Sequence, residues 1–270
     1  MMKARGTAAP FAVWMALFTV IPLGVVVYYA FTNADGAFTL ENIFSIKEYA
    51  GSLLRSFWIG ILSTFICLLL AYPLAFSISR SKGRVQQTMV MLIMMPMWMN
   101  FLLRTYAWQS LLENNGFINQ FLGWFGIPPI QMINTTGAVI LGMVYNFLPF
   151  MILPLYSVMV KIDKSVIEAA QDLGSNTLQV FSRVILPLSV PGIISGITMV
   201  FIPIISTFAI TQILGGSLIN MIGDNIEMKF FGAAPDYNVG SALALLLMIL
   251  LLISMGIMNH FDKNGEEVGA

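Results

Sequence analysis

Few residues in this chain could do chemistry, and almost all of them lie outside its apolar stretches. The long apolar runs hold no Asp, Glu, Lys or His, and Arg104 is the only charge inside one. The single histidine, His260, follows the last run, and the single cysteine, Cys67, sits in "STFICLLLAYPLAF". A hydrolase working inside a membrane needs a nucleophile with a base, or metal ligands. Neither set is present. Carriers driven by protons or sodium place an ionisable group within the bilayer, because charge movement is their chemistry. The spans offer no acid, lysine or histidine for that purpose. Energy for any transport must then come from another protein. Cys67 reads as a small buried hydrophobe, and one cysteine allows no disulfide within the chain. The polar chemistry that remains is concentrated in "EAAQDLGSNTLQVFSRVILP", Glu168 to Pro187, set between two apolar runs.

The elements around these residues are built for lipid. Of 270 residues, 58% are hydrophobic and 10% charged, against about 25% charged in soluble domains. The bilayer must be the solvent for most of such a chain. A net charge of zero gives no reason to expect a nucleic-acid partner. Six segments satisfy the need for about 20 mainly apolar residues: 10–32, 56–79, 87–109, 137–159, 188–213 and 239–259. They are continuously apolar rather than alternating, which excludes a β-barrel. Lys3 and Arg5 precede the first segment, which is too long for a signal peptide and reads as a retained span. Nine Lys and Arg residues, among them Arg80, Lys82, Lys161 and Lys164, fall on the side of the N-terminus, and three on the other. Both termini and the Glu168 stretch are therefore expected on the cytoplasmic side. No internal repeat is visible. The "NTT" at Asn134 matches a glycosylation triplet that arises often by chance.

Within the cytoplasmic stretch, Ser165 and Glu168 have capping-box spacing, which predicts a helix starting near Val166. Gly174 is placed to end it as a left-handed residue. Asn176 or Ser175 is placed to cap a second short helix, which Pro187 is expected to end. Val166, Ile167, Ala170 and Leu173 form the apolar side of the first helix, and Ala169 and Ala170 leave a shallow face. Two readings stay open from these residues: a linker lying on lipid headgroups, or an element that docks in a groove of a cytoplasmic protein.

The same stretch resembles the EAA motif of ABC-importer permeases: EAA, three residues, G, nine residues, then I-x-L-P. Glu168, Ala169, Ala170, Gly174, Leu186 and Pro187 fall on its positions, with Asp172 between them; Val184 stands where the family has Ile. "LLRTYAWQSLL", "YNFLPFMILPLYSVMVKIDKSVIEAAQDLG" and "GDNIEMKFF" are similar to the polyamine branch, the spermidine/putrescine permeases of the PotB type. The resemblance implies an all-α membrane protein of the MetI-like fold in the bacterial inner membrane. It implies residues 1–49 as a first span with its outer loop, a core over 50–260 with its EAA loop at 161–187, and a cytoplasmic tail over 261–270. It implies that the loop docks on an ATPase subunit. The implied partners are two ATPase subunits (PotA type), a second permease (PotC type) and an extracytoplasmic polyamine-binding protein (PotD type). No cofactor is expected in this chain, ATP and Mg being bound by the ATPase; no GxxxxGK[ST] loop is present. The same fold serves other solutes (thiamine, ferric ion, opine, sulfonate), and an ion-coupled secondary carrier is the rival class.

A polyamine would favour carboxylates and aromatic faces along its path. Tyr106, Trp108 and Tyr145 are the aromatic candidates, Asn100 and Asn146 the neutral acceptors, and Asp224 and Glu227 the outer-loop acids. Their plain alternatives are an interfacial belt, helix packing and solvated loop charge. Arg104 could reach outer headgroups, pair with Glu113 or face the path; a cationic solute argues for a structural role. The Met-rich run at 89–99 reads as apolar filler.

Overall fold

The structure, a computed structural model, describes residues 9–268. Lys3 and Arg5 lie outside that range. Among the described residues the chain is helical, with one isolated bridge between Thr32 and Phe38. The first span, α1, covers residues 9–30, passing through a π turn at Ala16–Val20. Then come α2 (Glu41–Ser45), α3 (Ala50–Ser79), α4 (Gly83–Met94), α5 (Phe101–Leu112), α6 (Phe117–Gly123) and α7 (Thr136–Met159). After the cytoplasmic loop helix α8 (Lys164–Asp172) come α9 (Thr177–Val180), α10 (Leu186–Ser206), α11 (Ile222–Phe231) and α12 (Tyr237–Val268).

The core is where α3, α7 and α10 meet. Between lipid-solvated helices the hydrophobic effect adds little, so close packing must hold them together. Small residues make it possible: Gly60, Ser63, Cys67, Ala71 and Ala75 recur at three- and four-residue spacing along α3 and are buried. Against them pack Met143, Met151, Leu155 and Met159 of α7, with Val200 and Ile204 of α10. A second cluster joins Phe201 and Ile205 of α10 to Ile222 of α11 and Leu243 and Leu247 of α12. The carbonyls ending α1 are collected by two asparagines: Asn42 donates to Ala30 and Thr32, and Asn238 to Tyr29 and Thr32.

Among the described residues, five helical segments are long and apolar enough to cross a bilayer, and a sixth crossing arises if one bent pair counts as a span. That pair corrects the expected third span, 87–109. Its halves, Gly83–Trp98 and Phe101–Gly123, meet at 89°. Pro96 has no N–H with which to continue the helix. Asn100 then starts a new one by accepting from the Leu102 and Leu103 amides at 2.8 and 3.3 Å. The fifth span is also corrected: it runs Thr177–Ser206 rather than 188–213. Pro187 does not end the short cytoplasmic helix. A π turn, Phe181–Ile185, in which the Leu186 amide bonds the Phe181 carbonyl, carries α9 into α10 with Pro187 in its first turn.

Candidate functional site: the cytoplasmic coupling loop and the outer polar layer

The cytoplasmic loop is built from short-range caps. Asp163, not Ser165, starts α8: its carboxylate accepts the Ser165 amide at 3.0 Å, which holds its carboxyl below the usual carboxylate range. Ser165 is already inside the helix, so the expected Ser165–Glu168 box does not form. Gly174 ends α8 as expected, at φ +84°. Its amide donates to Gln171 at 2.8 Å and that of Ser175 to Ala170 at 3.1 Å, the paired bonds of a Schellman end. Asn176 and Gln179 then form a reciprocal capping box at 2.8 and 3.0 Å.

These bonds fix which way α8 faces. Glu168, Ala169, Asp172 and Gly174 are exposed, and Ala170 is half-buried. The expected apolar side divides: Ile167 turns inward over a hollow, while Val166 is exposed and Leu173 is 88% exposed. Leu186 and Pro187 are exposed at the start of α10. The loop therefore presents a small-residue face with a protruding leucine, rimmed by two carboxylates. Such a surface suits a partner that approaches closely.

The path candidates are divided among three elements. Trp108 of α5 and Tyr145 of α7 meet edge to face, their rings 5.3 Å apart at 69°. Next to Tyr145, Asn146 is 2% exposed; its amide donates to Gly142, and its Oδ1 has no hydrogen-bond partner. Tyr106 is exposed on another face of α5. Asn100 is occupied as a helix cap. Asp224 and Glu227 belong to α11 and bind the turn that precedes it. Asp224 accepts from the Thr211 hydroxyl at 2.7 Å and the Met221 amide at 2.7 Å, and Glu227 from Gln212 at 3.0 Å. Desolvation pushes the Asp224 carboxyl, only 2% exposed, up to about 6. Gly223 lets α11 come this close, because a Cβ there would lie 2.6 Å from the Ser206 carbonyl. The turn at Thr211–Gly215 packs on both α5 and α7, so the acids of α11 are tied to the layer that holds Trp108 and Tyr145.

Arg104 is 8% exposed, with Nε and Nη1 buried and unpartnered. It neither reaches outward nor pairs with Glu113; among the described residues the ion pair formed is Lys229–Asp236 at 3.7 Å. Sequence reading missed the Asp163 cap, whose signal is an Asp two residues before a Ser. It also missed the Asp224–Thr211 bond, which no local pattern announces.

The family described as "Binding-protein-dependent transport system inner membrane component" matches residues 8–264. The chain belongs to that family. It is a multi-pass component of an inner-membrane transport system and not an enzyme. Among its binding-protein-dependent relatives, the spermidine/putrescine transport system permease protein PotB of Escherichia coli (strain K12) is 36% identical over 255 residues, 91% of each chain. The protein of the same name from Haemophilus influenzae is 37% identical over 260 residues, covering 93% of this chain and 91% of its own. The fold matches a solved bacterial alginate ABC transporter in complex with an alginate pentasaccharide-bound periplasmic protein. That match has a TM-score of 0.81 at 16% identity over 97% of this chain and 94% of the other. The MetNI methionine ABC transporter in an inward-facing form matches at TM-score 0.55 and 16% identity, over 81% and 98%.

Proposed function

We propose that this chain is the permease subunit of an ATP-driven ABC importer that moves polyamines, spermidine and putrescine, into the cell by alternating access. The observation that carries the reading is 36–37% identity over nine-tenths of the chain to permeases of that description. The partners in this reading are a PotC-type second permease, two PotA-type ATPase subunits that bind ATP and Mg, and a PotD-type binding protein outside.

The coupling part falls to α8. Glu168, Ala169, Ala170 and Asp172 form the surface that an ATPase cleft would grip, and Gly174 sets the angle at which the chain leaves it. Because α9 continues into α10, the loop is joined without a break to a 30-residue helix that crosses the bilayer. A displacement of α8 would reach the outer layer through that helix and the turn at Thr211–Gly215. There Trp108, Tyr145 and the unpartnered Asn146 Oδ1 offer π faces and an acceptor to an alkylammonium group. Asp224 and Glu227 hold the turn beside them.

The test is uptake of radiolabelled spermidine and putrescine in cells lacking this gene and any redundant polyamine importer, with and without a plasmid copy. Uptake restored by the copy supports the assignment. Uptake indifferent to it removes the polyamine substrate and leaves the family in place.

A further inference from the structure

Beneath α8 lies a hollow of about 360 Å³, walled by Phe76 of α3 and Arg80 just past its end, by Lys164, Ile167 and Glu168 of α8, and by Phe181. Arg80 is the group that the fold leaves unfinished. Its Nη1 donates to the Ile162 carbonyl at 3.4 Å, and its guanidinium lies over the Phe76 ring at 5.6 Å. Its Nε and Nη2 are buried with no hydrogen-bond partner. Glu168 shares the hollow, but among the described residues it forms no ion pair with Arg80 or Lys164. Two cations thus face one carboxylate. A buried guanidinium left this way is costly, and its planar donors suit the oxygens of a phosphate.

Next to it, between α3 and α10, lies a second space of about 470 Å³. This one is lined by apolar groups, among them Phe65, Leu69 and Ile193, and it shares Phe76 and Phe181 with the first. Arg80 marks the cytoplasmic end of α3. Phe65 lies fifteen residues deeper on the same helix, roughly 22 Å at the helical rise. One leaflet of hydrocarbon is roughly 15 Å thick. A basic recess at the cytoplasmic surface therefore adjoins, across Phe76 and Phe181, an apolar groove long enough for an acyl chain. Basic recesses between spans on this side of a membrane suit anionic lipid headgroups.

We propose that this recess and groove bind one acidic phospholipid, its phosphate between Arg80 and Lys164 and an acyl chain between α3 and α10. The phosphate would bridge a membrane span to the coupling helix, so the lipid would hold α8 against α3. The proposal stands on the membrane fold and not on the transported solute.

Native mass spectrometry of the intact transporter complex tests it, titrated with phosphatidylglycerol or with phosphatidylcholine of the same chains. The expected result is preferential retention of phosphatidylglycerol. Retention should weaken about fivefold in Arg80→Gln or Lys164→Gln and roughly thirtyfold in the double variant. Lys164 is exposed, so its variant carries little folding risk. Leu69→Trp, which fills the groove, should weaken retention with both cations intact. Equal retention of the two lipids, or retention indifferent to both charge variants, would overturn the proposal. Displacement by inorganic phosphate with no effect of Leu69→Trp would assign the recess to a free anion instead. Binding seen only after the ATPase is stripped away would assign it to a side chain of that subunit.

Discussion

In the cytoplasmic loop every cap closes within five residues: Asp163 to Ser165, Ser175 to Ala170, Asn176 to Gln179 and back. On the outer side the corresponding bonds reach across 13 residues from Thr211 to Asp224, 15 from Gln212 to Glu227, and 166 from the Ile222 amide to Ser56. The first region is held by its own backbone and can move as a rigid piece. The second exists only when α3, α10 and α11 are assembled, so it registers any shift among them. In the proposed importer the first would serve as a stiff lever at the ATPase end and the second as a responsive layer at the solute end.

Substitutions in the two regions should therefore fail differently. The largest effect is expected at Gly174. Valine at φ +84° is strained by about 1–3 kcal/mol, and relief of that strain would swing α8 out of line. Uptake should fall at least tenfold while the amount of protein in the membrane, read by immunoblot, is unchanged. On the outer side, Asp224→Ala leaves the buried Met221 amide without its acceptor and the Thr211 hydroxyl with only the Phe208 carbonyl, a loss of about 1–3 kcal/mol. Here the thermal midpoint of the purified complex should fall by several degrees, together with uptake.

Asp224 also gives the outer layer a pH signature. Its folded carboxyl titrates near 6 rather than 3.8, so the fold holds that proton more tightly than the unfolded chain does. Stability is then greatest below about pH 4 and falls, by no more than about 3 kcal/mol, as pH rises to about 6. A thermal-shift series should show that slope in the wild type and lose it in Asp224→Asn. Trp108→Ala should raise the KM for spermidine roughly threefold with little change in maximal rate, the scale of one aromatic contact. Asn176→Ala, which removes one cap, should cost about 1 kcal/mol of loop stability. Its uptake should stay within about threefold of normal, the smallest change of the set.

The same contrast explains what could be read from the residues alone. Gly174 and Asn176 are legible because a left-handed C′ glycine and an Asn-x-x-Gln box are local events. Ser165 has the residue type of a helix start, but Asp163 lies two residues earlier and takes the Ser165 amide itself. Pro187 reads as a stop until a π turn is allowed to absorb it. The 89° bend is also written locally, in Pro96 and Asn100, but continuous hydropathy hides it. Trp108 against Tyr145, Asp224 on Thr211, and the unpaired nitrogens of Arg80 and Arg104 depend on helices distant in sequence. No spacing rule reaches them.

In the proposed importer, α8 transmits the work of a separate ATPase to these spans. The most direct measurement is ATP hydrolysis and spermidine uptake in the same proteoliposomes, for the wild type and for Gly174→Trp. The substitution should abolish uptake while hydrolysis continues without the binding protein and no longer rises when loaded binding protein is added. Wild-type uptake per ATP in the substituted transporter would contradict that coupling role.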